Sequence, residues 1–235
     1  MKAQNYLIAL FLLFASLLHA THNRSGEIIF KKTGGLNVEA TIITYTKASS
    51  INADRDSLDI NWGDGTTERI KRVNGNGAGE LIGADLKQNF YTGIHTYAQE
   101  GEYVIWMTDG NRTGGIINVN PPSSDNVPFH LEATLRLLPD AAASLYSPVF
   151  LELPVDQAYT FVPFSHVVNA FDPDGDSLAY ELVVPMADLG VQVPNYAFPD
   201  QIAPSNDNKI FLDPVTGLFL WDSPVTPGVY CIAIL

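Results

Sequence analysis

The sequence contains one cysteine, half as many basic as acidic residues, and a single long apolar run. Cys231 alone cannot form a disulfide within the chain, so apolar packing has to supply the stability. There are 13 Lys and Arg residues against 26 Asp and Glu residues, a formal net charge of -13. Because no basic cluster is present to neutralise phosphates, nucleic acid and an anionic membrane surface are both disfavoured as partners.

The long apolar run, YLIALFLLFASLL, occupies residues 6–18. It is shorter than the ~20 residues that span a bilayer. With Lys2 before it and Ala20 after it, the run predicts a cleaved secretory signal peptide over residues 1–20. We therefore expect an exported protein, extracellular or on the outer cell surface, whose mature chain does not insert into a membrane.

The rest of the sequence lacks any long stretch with the 3.6-residue apolar period of a helix. Short alternating segments rich in Val, Ile, Thr, Tyr and Phe recur instead, such as LNVEATIITYTK and EYVIWMTD, with Gly, Pro, Asn or Asp between them. This pattern predicts an all-β fold of two tandem antiparallel β-sandwich (Ig-like) domains.

The predicted domain boundaries follow the composition. We expect a first sandwich over residues 21–140, a linker over 141–146 and a second sandwich over 147–235. The last residues, CIAIL, stop within an apolar strand pattern, which would leave an unpaired sheet edge. We therefore expect the second sandwich to lack its final strand or strands and a longer parent chain to continue.

Two motifs stand out in the predicted first domain. WGDGT contains Asp64-Gly65, a strong signal for a hairpin turn, and HTYAQEGEYVIWM begins at His95. His95 and Asp64 invite an acid–base interpretation, but the sequence offers no GxSxG elbow or similar nucleophile. We expect His95 to form structural hydrogen bonds and Asp64 to shape the turn. Together the two motifs resemble the PKD-type β-sandwich, a resemblance that implies a binding or spacer module rather than a catalyst.

The segment FDPDGDSLAYEL places three aspartates in one turn. An EF-hand is excluded, because with Asp172 first the required Gly and Glu positions hold Ser177 and Val183. Calcium could still be held by Asp172, Asp174 and Asp176, with Asp213 or Asp222 from another loop adding oxygen ligands. The alternative is that the aspartates cap backbone amides in a turn shaped by proline and glycine. Both interpretations remain open on the sequence.

Three segments of the second domain, taken in order, resemble the cadherin-like and Ig-like repeats of bacterial surface proteins. They are residues 170–180 (AFDPDGDSLAY), 213–221 (DPVTGLFLW) and 227–230 (PGVY). The resemblance implies a repeat whose aspartates bind calcium in some members and not in others.

From residue 21 onward, the ordered motifs are similar to the N-terminal region of gliding-motility-associated surface proteins of Bacteroidetes, which use the type IX secretion system. That resemblance implies attachment to the cell surface through a C-terminal sorting domain, which these residues do not contain. Surface attachment is thus implied for a longer parent chain.

These observations predict a non-enzymatic adhesion or display module, with a surface glycan or a protein as its undefined ligand. The alternative is a glycan-binding accessory region of a secreted polysaccharide-degrading enzyme, in which Trp62, Trp106, Tyr91 and Tyr103 would supply stacking faces. A hydrolase is disfavoured, since paired turn aspartates facing solvent give no reason for the raised pKa of a catalytic acid.

Overall fold

The structure, a computed structural model, describes residues 23–110, 112–138 and 145–235. The predicted signal peptide and residues 141–144 of the predicted linker lie outside the described residues. The described chain is nearly all-β, and its named strands pair in antiparallel fashion. The predicted all-β class is confirmed.

The first sheet has four strands in the spatial order β1 (Asn23–Gly34), β2 (Asn37–Lys47), β6 (Leu86–Thr96) and β5 (Glu80–Gly83). Along β2 the side chains of Val38, Ala40 and Ile42 are fully buried and alternate with more accessible neighbours, as a strand with one covered face requires. The turn from β1 to β2 uses Gly34 and Gly35, whose φ values of 136° and 56° favour glycine.

The second sheet has the spatial order β4 (Thr67–Lys71), β3 (Ser57–Asn61), β7 (Gly101–Asp109) and β8 (Phe129–Leu137). On β7, Ile105 and Met107 are buried, whereas Glu102, Val104 and Trp106 have the opposite strand parity and are more accessible. The inner face of this sheet therefore carries the apolar positions and the outer face carries Trp106.

The main hydrophobic core lies between these two sheets. The first sheet contributes Ile42 and Tyr91, and the second contributes Ile60, Ile105 and Leu135, all of them buried. Each such side chain stabilises the fold by roughly 1.5–3 kcal/mol relative to exposure. At the end of the core that contains Trp62 the sheets come especially close, because a Cβ added to Gly93 would lie 2.7 Å from Ile70 Cγ2.

The second half of the chain is built from shorter strands. One sheet has the order β10 (Phe164–Val167), β16 (Leu218–Trp221) and β15 (Ile210–Leu212). The other strands form pairs: β9 (Val149–Phe150) with β11 (Ala170–Phe171), β12 (Leu182–Val183) with β17 (Ala233–Ile234), and β13 (Met186–Asp188) with β14 (Val191–Gln192). A single turn of helix, α1, covers Pro199–Ile202.

Proline limits the length of these strands. Pro163 directly precedes β10, Pro185 separates β12 from β13, and Pro199 opens α1. Because proline has no backbone N–H, it cannot continue a ladder of hydrogen bonds within a strand. Across the described residues, no helix has the length and apolar character needed to cross a membrane.

A second hydrophobic cluster joins residues from both sides of the predicted linker. Its buried members are Ile116, Val119, Val127, Ala187 and Val193. Residues 112–128 therefore pack against residues 186–231, although we placed them in the first domain. The position of the domain boundary stays a prediction.

Candidate functional site

The DPDGD turn, predicted as a calcium site, is a compact loop held by its own hydrogen bonds. Asp172 is buried, and its Oδ1 accepts the backbone N–H groups of Asp174 at 2.8 Å and Asp176 at 3.4 Å. The carbonyl of Asp172 accepts the N–H of Gly175 at 3.2 Å, where a φ of 85° favours glycine. Asp172 thus stabilises the turn through its side chain and its backbone.

Asp174 connects this turn to the segment that enters the second half. Its Oδ2 accepts the backbone N–H of Tyr146 at 2.7 Å. Tyr146 in turn bridges to Lys31 of β1, and the N–H of Lys32 donates to the carbonyl of Leu145 at 2.8 Å. The aspartate turn therefore fixes the position of the chain beside β1, where it enters the second half.

Asp213, the fourth predicted metal ligand, lies in the turn between β15 and β16. Its Oδ1 accepts the N–H groups of Val215 and Thr216, both at 2.9 Å. These amides, that of Thr216 first, lower the pKa of Asp213, because they stabilise the charged carboxylate. Asp222, named as a substitute ligand, is exposed at the far end of β16.

The geometry gives these carboxylates backbone amides as partners. Among the described residues, no group of three or more His, Cys, Asp or Glu side chains is arranged to hold a metal ion. A calcium ion takes six to eight oxygen ligands, and Asp172 and Asp213 each use one oxygen on two backbone amides. The structure supports the turn interpretation, and the calcium site stays a prediction.

His95 and Asp64 meet across the two sheets. Nε2 of His95, on β6, lies 2.7 Å from Oδ2 of Asp64, in the turn between β3 and β4. The imidazole stacks on Trp62 with ring centroids 5.0 Å apart, and it lies nearly perpendicular to the ring of Tyr97, with centroids 4.7 Å apart. The pair thus closes one end of the sandwich.

The order of hydrogen bonds argues against a catalytic triad here. Asp64 Oδ1 accepts both the N–H of Thr66 at 3.0 Å and its hydroxyl at 2.6 Å. The hydroxyl therefore bonds the carboxylate and not the imidazole, whereas a triad needs the imidazole between the other two groups. Partial burial raises the pKa of Asp64, but the hydrogen bonds from Thr66 and His95 outweigh burial and leave that pKa below its ordinary value.

Of the four aromatic side chains predicted as stacking faces, two are core residues. Trp62 and Tyr91 are each 1% exposed. The ring of Tyr103 stacks on Tyr97 with centroids 4.2 Å apart. Trp106 differs, because it lies on the outer face of β7 and lines an open groove. A row of exposed aromatics is therefore not formed by these four residues.

The groove beside Trp106 has a volume of about 380 Å³. Its floor is formed by the outward side chains of β7, one wall by the turn after β3, and the other wall by Leu189 between β13 and β14. Sequence reasoning missed Asn61, Glu102 and Leu189 as its lining. Strand parity with Trp106 could have found Glu102, but nothing local in the sequence places Leu189 against β7.

Cys231 is a partly buried residue in the second hydrophobic cluster. Burial raises the pKa of the Cys231 thiol, which makes it a poor nucleophile. Arg112 Nη1 lies 3.5 Å from its Sγ, and the same guanidinium donates to the carbonyls of Pro128 and Met186. The backbone N–H and C=O of Cys231 both bond the side-chain amide of Asn118 at 2.8 Å. These contacts join residues 112–118 to the end of the chain.

Comparison with known proteins adds no relative to this description. The chain matches no protein-family model, no curated protein and no solved structure.

Proposed function

We propose that this chain is a non-enzymatic part of an exported cell-surface or secreted protein and that it works by display and contact. One observation carries the proposal: the side chains best suited to acid–base chemistry are used to hold the fold. His95 and Asp64 close one end of the sandwich, and Asp172 holds a turn. The predicted signal peptide and the resemblance to PKD-type and cadherin-like modules support the same conclusion.

We further propose a secretion route for the parent chain and a stabilising role for calcium. The resemblance to gliding-motility-associated proteins supports type IX secretion of a longer parent chain, with adhesion as its role. Calcium at the turn of Asp172, Asp174 and Asp176 would stabilise the second half without taking part in any reaction.

Localisation tests the main proposal. Cells that produce the chain with a C-terminal epitope tag are fractionated, and intact cells are treated with an external protease. Because surface attachment is implied only for the longer parent chain, we expect this tagged chain in a fraction outside the cytoplasm, with Thr21 as its first residue. A variant carrying Leu12→Arg and Leu13→Arg interrupts the apolar run and should stay inside the cell. A full-length wild-type protein protected in the cytoplasm would overturn the proposal.

The second candidate function is a glycan-binding accessory region of a polysaccharide-degrading enzyme. The observation that favours it is the groove at Trp106, since the other aromatic side chains named for this role are buried or stacked on neighbours. Display and glycan contact are compatible, because both need an accessible surface and no catalytic group.

A further inference from the structure

The outer face of the second sheet carries an open groove lined by Trp106. Val104 and Trp106 form its floor, and Glu102 stands on the same strand at one end. Asn61, Gly63 and Gly65 form the wall on the side of the turn after β3, and Leu189 forms the opposite wall. A mainly apolar floor with a few convergent polar groups is the usual character of a ligand site.

The groove is rigid on the side of the turn. Gly63 packs so closely on β7 that an added Cβ would lie 2.5 Å from the carbonyl oxygen of Val104. The side-chain amide of Asn61 accepts the N–H of Gly63 at 3.0 Å and donates to the hydroxyl of Thr67 at 3.1 Å. These contacts fix the wall in position beside the ring of Trp106.

A chain of hydrogen bonds holds the residues beside Trp106 on the side away from the turn after β3. The hydroxyl of Thr108 bonds Asp188 Oδ1 at 3.1 Å and His130 Nδ1 at 2.8 Å. His130 Nε2 bonds Glu132 at 2.9 Å, and the imidazole lies 5.9 Å from the ring of Trp106. Because the neighbours of Trp106 are held in place, binding there would lose little conformational entropy.

We propose that this groove binds a neutral polysaccharide, with one sugar ring stacked on Trp106. The apolar C–H face of a pyranose matches a flat indole ring, and the ring hydroxyls are both donors and acceptors of hydrogen bonds. Asn61 has a second amide N–H beyond the one given to Thr67, and Glu102 has acceptor capacity beyond its 3.3 Å contact with Arg136. The groove thus offers a sugar an aromatic face, a hydrogen-bond donor and a hydrogen-bond acceptor.

Charge selects a neutral glycan over an acidic one. Glu102 lines the groove, Glu132 is paired with Trp106 across strands β7 and β8, and the whole chain carries a formal net charge of -13. Like charges would repel a polyuronate or a sulfated glycan. The groove is also open rather than enclosed, so a long polymer can contact it without having to thread into a cavity.

The inference rests on the proposal that the chain works by contact, and it is tested on the purified protein alone. Native gels are cast with mixed-linkage β-glucan, xyloglucan, galactomannan or soluble starch, and others with polygalacturonate or gelatin. We expect at least one neutral polysaccharide to retard the wild-type protein. Trp106→Ala should lower the affinity measured from the retardation about tenfold, which is the contribution of one aromatic stacking contact.

Two further variants make the result decisive. Tyr159→Ala removes an exposed aromatic side chain outside the groove and should be retarded like the wild type. Leu189→Arg narrows the groove from a side chain that is 46% exposed, leaves Trp106 in place, and should also weaken retardation. Melting temperatures show that each variant is folded, and Leu189→Arg decides the matter if Trp106→Ala does not fold.

Several results would overturn the inference. These are no retardation by any neutral polysaccharide, retardation only by polygalacturonate or gelatin, and equal retardation of the wild type and Leu189→Arg. None of them depends on where the cell places the protein. A negative result in the gels combined with surface labelling in cells would therefore remove the glycan site and leave the display proposal standing.

Discussion

Glu27 is expected to make the stability of the protein fall as the pH rises from about 4.5 to about 7. It lies on β1 of the first sheet, where Oε2 accepts the N–H of Phe150 on β9 at 3.5 Å. Burial raises the pKa of Glu27 to about 7, and the long hydrogen bond from Phe150 offsets only part of that effect. The side chain is therefore held neutral in the folded protein at pH values where the unfolded chain ionises.

The magnitude follows from linkage. The ordinary pKa is 4.5 and the folded value is about 7. Between these values the folded state binds a proton that the unfolded state has released, so the free energy of unfolding decreases as the pH rises. At 1.36 kcal/mol per pH unit the total loss is about 3 kcal/mol, and it is complete above pH 7.

Glu27→Gln isolates this contribution. Glutamine has the shape of the protonated carboxyl and keeps a carbonyl oxygen for the N–H of Phe150, but it does not ionise. We expect the variant and the wild type to have similar stability at pH 4.5. At pH 8 the variant should be more stable by about 3 kcal/mol.

The assay is urea unfolding at pH 4.5, 6 and 8, followed by circular dichroism and tryptophan fluorescence. Glu100→Gln, which removes the same charge from an exposed loop position, is the control for the change in net charge. A Glu27→Gln variant whose advantage over the wild type is the same at pH 4.5 and pH 8 would refute the reasoning. So would a pH-dependent advantage of equal size in Glu100→Gln.

Three other expectations follow from the contacts described. Asp54→Asn should cost about 2 kcal/mol at pH 7, because it weakens the ion pairs with Arg72 and Lys87. Partial burial opposes these pairs, but together the pairs lower the pKa of Asp54 to about 2. The wild type should therefore lose this stability as the pH falls from about 4 to about 2 in acid titrations. Gly93→Ala should lower the free energy of unfolding by roughly 1–3 kcal/mol through its clash with Ile70, whereas Gly83→Ala, whose Cβ would lie 3.5 Å from Leu86 Cβ, should have little effect in the same urea titration. Asp172→Ala should lower the free energy of unfolding by about 1–3 kcal/mol, because it leaves two backbone amides without an acceptor. If holding the turn is the whole role of Asp172, the melting temperature of the wild type will be equal in calcium and in EDTA. A rise in melting temperature with calcium would instead favour the metal site.

The fold class was predictable because alternation of apolar residues is a local property of the sequence. The run LNVEATIITYTK became β2, and its alternating Val38, Ala40 and Ile42 face the core. The Asp64-Gly65 signal also corresponds to the observed turn between β3 and β4, with Gly65 at a φ of 90°. Local patterns of this kind need no knowledge of distant partners.

Long-range packing was not predictable in the same way. Residues 112–128 carry no strong strand pattern, and their partners lie about a hundred positions later in the chain, as in the hydrogen bond from the N–H of Ile117 to the carbonyl of Val229. The side chains of Arg72 and Lys87 converge on the carboxylate of Asp54 only because the two packed sheets bring the end of β4 close to β6. The wall that Leu189 gives to the groove depends on the same kind of distant contact.

The tryptophans show how strand parity separates a core residue from an outward-facing residue. Trp62 follows buried Ile60 with the same parity, so its ring enters the core and stacks on His95, and its Nε1 has no hydrogen-bond partner among the described residues. Trp106 lies between buried Ile105 and Met107 and therefore faces outward. Trp106 is only partly buried and lines the groove, so part of its indole face is available to a sugar ring. Replacing Trp62 should therefore affect stability first, and replacing Trp106 should affect binding first.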